Sequence, residues 1–241
     1  MAEDEIRKHT KVVYKTLRDP EKGWKHKLQD ILLEIVIIVF AVTVSIWLHN
    51  WSESVKDRKA EKVFLTGLKG DLQADLSEMK SDRDGLTRML NGVRYFEKVG
   101  AGMELNKDSL NSYVWVFFSQ TQINPRISRF EALKGSGKLD IIENKKLQYN
   151  IIDLYQKDFL FIFRVNEYFN RLITDRLDPF VQETMELDER GSAKNAQEML
   201  RKSKMRILMF QAETVKNSIK AYSRGIDKAN EILKQIDEEL K

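Results

Sequence analysis

From Ile31 to Leu48 the chain reads ILLEIVIIVFAVTVSIWL, with Glu34 as its one charge. A core helix of a soluble protein shows a polar face, whereas this run from Ile35 onward offers nothing more polar than Thr43 and Ser45. A helix over Ile31–Trp51 is about 30 Å long at 1.5 Å per residue, the thickness of a bilayer core. Trp24 precedes the run, and Trp47 and Trp51 close it, where amphipathic rings settle at the headgroups. The pattern predicts a transmembrane helix at 31–51. Glu34 lies about one turn from its near edge, within reach of headgroup water, and Asp30 stands one turn before it. Ala41 and Ser45, four apart, form a small-xxx-small pair that lets two spanning helices approach.

Beyond Trp51 the apolar positions narrow to one stripe. Leu65, Leu68, Leu72, Met79, Leu86, Leu90 and Val93 recur at helical steps, which predicts a stalk helix continuous with the span and ending before Gly100. Gly85 marks a bend or break, since glycine weakens a helix by about 1 kcal/mol relative to alanine. After a loop at Val99–Asn106, Asp108 opens a helix whose Tyr113, Trp115, Phe117 and Phe118 are expected in the core. Asn124-Pro125 reads as a cap followed by proline in the first turn, starting a helix that stops near Gly135. A long helix at Asn144–Leu177 carries a seam of Leu147, Ile151, Leu154, Phe161, Val165, Tyr168 and Leu172. Asp178-Pro179 repeats the cap signal for a helix to about Glu189, and Gly191-Ser192 ends it and caps the last one. There Leu208, Ala212, Val215, Ile219, Tyr222, Ile226, Ala229, Leu233, Ile236 and Leu240 alternate steps of four and three, the signature of a coiled-coil seam. It pairs either with the stalk in one subunit, as an antiparallel return, or with a second copy. The expected fold is all-α, divided into a basic arm (1–30), the transmembrane helix (31–51) and an extramembrane helical bundle (52–241).

Composition supports helices, because Gly and Pro number only 11 and 3 in 241 residues. The net charge of +4 comes from interspersed acids and bases with no basic stripe, which argues against nucleic acid as a partner. Without cysteine there is no disulfide, thiolate metal site or thiol nucleophile. His9, His26 and His49 all fall before or at the edge of the span, so no metal site is expected in the bundle. The Lys and Arg ahead of the span, from Arg7 to Lys27, outnumber Lys56, Arg58, Lys59, Lys62 and Lys69 after it. That bias places the N-terminus in the cytoplasm. The charged arm and the bulky residues at Leu48–Trp51 offer no cleavage site, so the span reads as an uncleaved anchor. The run KGSGKL at Lys134–Leu139 lacks the first glycine and the final hydroxyl of a phosphate loop, and reads as a turn. Asp158 falls on the apolar seam of the central helix, where an ion pair with Arg126 or Arg129 is expected.

The span with Asn50-Trp51 and the charged helix Lys56–Lys62, followed by Phe130-Glu131-Ala132-Leu133, Ser136-Gly137-Lys138-Leu139-Asp140 and Tyr155, resembles a family of uncharacterised single-span membrane proteins from Bacteroidota-type bacteria. The span departs from that family in lacking Gly and Gln at Ala41–Ile46. The resemblance implies topology and no reaction. The expectation is a structural or interaction protein of a bacterial inner membrane, with its large domain in the periplasm. It is not expected to be an enzyme or to carry a cofactor, and its partners are membrane lipid and a second copy or another membrane protein. The alternative is a ligand-sensing bundle that signals through its N-terminal arm.

Overall fold

The computed structural model describes Arg7, Lys11, residues 24–189 and residues 191–241. The remainder of the basic arm and the side chain of Trp24 lie outside the described residues. Helix α1 (Trp24–Gly100) runs unbroken for 77 residues; no break falls at Gly85. The chain forms two compact units, Met1–Ala60 and Glu61–Lys241.

In the first unit α1 holds the apolar run. Its most apolar window has a mean hydropathy of 2.3, and 6% of that window is buried. The two hydroxyls in the run bond back within the helix: Thr43 Oγ1 donates to the Val39 carbonyl at 2.7 Å and Ser45 Oγ to that of Ala41 at 2.8 Å. Neither hydroxyl hydrogen is left without an acceptor.

The second unit is all helix apart from loops and turns, with no strand among its described residues. The α1 stripe of Leu65, Leu68, Leu72, Met79, Leu86, Val93 and Phe96 is buried. Helix α2 (Lys107–Tyr113) is capped by Asn106, whose side chain accepts from Ser109 N, and it tightens into a 3₁₀ turn at Val114–Phe117. Phe117 stacks on Phe96 at 4.7 Å, whereas Phe118 faces solvent and not the core. Helix α3 (Ser128–Gly135) ends in a turn where Gly137 takes φ +71°, so KGSGKL is a chain reversal.

Asn144 caps the next helix through Leu147 N. Residues 145–184 are then continuous helix: α4 (Lys145–Asp153), a π-turn (Leu154–Asp158), α5 (Phe159–Leu172), a second π-turn (Ile173–Leu177) and α6 (Asp178–Thr184). Asp178 is helical and caps nothing; the wide turn before it accommodates Pro179, which has no N–H and crowds the preceding turn. The first π-turn also corrects the expected seam. It inserts one residue, so beyond Leu154 the buried face passes to Asp158, Ile162, Asn166 and Phe169, while Phe161 and Tyr168 point outward.

The chain after α6 holds an isolated bridge between Leu187 and Ala193, then α7 (Ala196–Arg201), α8 (Ser203–Ala212) and α9 (Val215–Glu239). The expected single last helix is thus interrupted at Lys202 and at Glu213-Thr214. α9 packs chiefly on α5 and also on α4 and the first π-turn. At Gly225 an added Cβ would lie 3.1 Å from Ile162 Cδ1 and 3.4 Å from Met79 Sδ, so glycine sets how closely α9 approaches α5 and α1. Gly225→Leu is expected to destabilise the bundle by about 1–3 kcal/mol through overpacking, read as a lower midpoint in thermal unfolding.

Candidate functional site

Asp71, Asp75, Glu78 and Asp82 follow one another on α1 at steps of four, three and four, beside the buried stripe. Each of the four stands near a polar group from another part of the second unit. Asp71 pairs with Arg129 at 2.8 Å, and Gly67, one turn before Asp71, leaves the space the Arg129 guanidinium occupies. Asp75, 3% exposed, accepts from Arg126 Nη1 at 2.7 Å and from the Arg126 backbone N at 3.1 and 3.2 Å. Arg126 also reaches Glu78 at 3.5 Å. A carboxylate of α1 thus satisfies the backbone of the irregular segment 118–127, as Glu61 does for Glu143 N at 2.9 Å. Asn124-Pro125 starts no helix: Asp75 holds the Arg126 backbone N–H, and α3 begins only at Ser128.

Tyr222 of α9 lies close enough to Asp82 to act on its charge, and its hydroxyl accepts from Asn166 Nδ2 of α5 at 3.1 Å. The phenol thus stands between a carboxylate of α1 and an amide of α5. Burial holds both Asp75 and Asp82 above the usual carboxylate range, against the opposing pull of Arg126 and of Tyr222 respectively. It also raises the Tyr222 phenol, which stays protonated.

Asp158, buried in the first π-turn, pairs with Arg224 Nε of α9 at 2.7 Å. The expected partners Arg126 and Arg129 are instead committed to the ladder, because the π-turn turns Asp158 toward α9. The same side of α9 carries Lys228, whose Nζ donates to Asn150 Oδ1 at 3.0 Å, while Asn150 Nδ2 donates to Glu231 and Gln235, each at 3.0 Å.

Of the residues singled out in the sequence, Leu208, Val215, Tyr222, Ile226 and Ile236 are buried in the unit's own core, and Ile219 and Leu233 pack against it half-buried. Glu34 is partly covered, and Ala41, Ser45, Trp47 and Trp51 are exposed. Sequence reasoning missed the ladder and Asn166. The spacing of the four acids was the available signal, and it resembles any solvated helix face until their partners are known. Among the described residues no cluster of three or more His, Asp or Glu is placed to hold a metal ion.

Asp75→Ala leaves the Arg126 N–H without its acceptor and is expected to cost about 1–3 kcal/mol. Hydrogen exchange should then quicken across 118–127 more than in α9; equal protection there would contradict the pinning role. For Asp82, the folded protein holds the proton more tightly than the unfolded chain does. The stability this adds is full below the unfolded value of 3.8 and is lost as pH rises through the raised folded value. Asp82→Asn should therefore give a shallower fall in melting temperature with rising pH across that window, measured by circular dichroism beside the wild type.

No curated protein and no solved structure matches the chain. The profile of the family of unknown function DUF6090 matches residues 34–178, from inside the apolar run through the ladder to the second π-turn. The chain belongs to that family.

Proposed function

We propose that this chain is a membrane-anchored helical scaffold: 31–51 cross the bilayer, the basic arm lies in the cytoplasm, and the extramembrane unit assembles in the periplasm with a second copy. The observation that carries the anchor is the long apolar helical run, with 6% of its most apolar window buried. Soluble surfaces do not leave such a run facing water. The bias of Lys and Arg toward the arm supports the orientation.

Self-association draws on the outer face of α5. The seam of α9 is used inside the subunit, but Leu160, Phe161 and Tyr168 stand exposed, Phe161 at 48% and Tyr168 at 65%. Phe161 and Tyr168 are seven residues apart on one face, with Arg164 between them, and aromatic residues with arginine are the side chains that interface cores favour.

Fractionation and crosslinking of the full chain in native membranes test both parts. The chain should sediment with membranes and crosslink to the mass of a dimer, and Phe161→Asp combined with Tyr168→Asp should return it to the monomer while leaving it membrane-bound. A chain that stays in the supernatant removes the anchor; a wild-type chain that never crosslinks to itself removes the assembly.

A further inference from the structure

The segment 118–127 and α5 border a half-open cavity of about 280 Å³, lined on one side by Gln120, Thr121, Gln122 and Ile123 and on the other by one face of α5 from Phe163 to Thr174. The segment is fixed over it by a reciprocal pair: Thr121 N donates to Asn170 Oδ1 at 2.8 Å, and Asn170 Nδ2 donates to the Thr121 carbonyl at 2.7 Å.

Two buried polar atoms of the lining residues have no hydrogen-bond partner among the described residues, Thr121 Oγ1 and Asn166 Oδ1. The second follows from the core. Asn166 Nδ2 donates to the Tyr222 hydroxyl at 3.1 Å, so the amide nitrogen faces the phenol. The amide oxygen of Asn166, a residue 2% exposed, is the end the core does not use. Buried polar atoms are nearly always bonded, and two orphans in the walls of one cavity call for an occupant. A single water fills roughly 30 Å³. This space approaches the lower end of small-molecule sites, about 300 Å³.

We propose that the cavity binds a small, uncharged, hydroxyl-rich solute of monosaccharide or cyclitol size. Asn166 Oδ1 needs a donor, Thr121 Oγ1 takes either role, and the amides of Gln120 and Gln122 offer both; a hydroxyl donates and accepts at once. Phe163 and Ile123 supply apolar wall for a C–H face. The charges at the rim, Glu167 and Arg171, are bonded to each other, so a net charge on the solute has no counter-ion there.

The proposal goes beyond the scaffold reading and stands apart from it. Its test is calorimetric titration of the full chain in a detergent without a sugar headgroup, using D-glucose, D-galactose, D-mannose and myo-inositol as probes up to about 10 mM. At least one should bind saturably at one per chain. Thr121→Val keeps the side-chain shape and removes an atom that bonds nothing in the free protein, so melting should not fall, while binding of that probe weakens about 2- to 10-fold, one neutral hydrogen bond. Absence of saturable binding for all four probes, or equal binding by the valine variant, overturns the proposal. Neither outcome alters membrane sedimentation or crosslinking, which read the scaffold separately.

Discussion

A carboxylate placed beside an apolar helix stripe must be answered by another part of the chain or left to pull the packing apart. α1 presents four such groups in succession, and the answers shape the second unit. Arg129 and Arg126 come from around the start of α3, and Tyr222 comes from the middle of α9. Because Asp75 also takes a backbone N–H, segment 118–127 stays irregular where its own residues signal a helix start. An unpaired buried carboxylate would cost more than most single apolar contacts return, so the ladder fixes which segments lie on α1.

The helix at 145–184 solves a different problem of register. Its buried positions run through Leu147, Ile151, Tyr155, Asp158, Ile162, Asn166, Phe169, Ile173, Leu177 and Val181, mostly by fours, which is wider than the 3.6 of a regular helix. A regular helix would rotate this stripe off the core. Each π-turn absorbs one extra residue and returns the stripe to the same side. Asp158 thereby meets Arg224, and the aromatic residues of the naive seam, Phe161 and Tyr168, are left outside. The surface proposed for assembly is thus a product of the same register change.

What could be read from the chain followed the range of the interaction concerned. The apolar run, the stripe on α1, the caps at Asn144 and the end at Gly135 are local, and their residues declare them through period, cap chemistry or glycine. The seam of α9 was legible as a seam, though its break at Glu213-Thr214 was not, because Leu208, Ala212 and Val215 keep the heptad step across it. Asn124-Pro125 and Asp178-Pro179 carry the same local signal and fail for different reasons: a distant carboxylate holds the first, and a wide turn absorbs the second. Partners separated by tens of residues, such as Asp75 with Arg126 or Asp158 with Arg224, leave no spacing to read.

The cavity follows from these constraints together. Segment 118–127 is tied by Asp75 at one end and by Asn170 near the other, so its middle can neither coil into a helix nor collapse onto α5. Asn166 is drawn inward by the corrected register and oriented by the Tyr222 hydroxyl, to which its Nδ2 donates. An apolar residue at 166 would close the space without an orphaned acceptor, but it would leave Tyr222 without its donor. The polar lining is therefore coupled to the core: the phenol that takes the Asn166 nitrogen leaves its buried oxygen with no hydrogen-bond partner among the described residues.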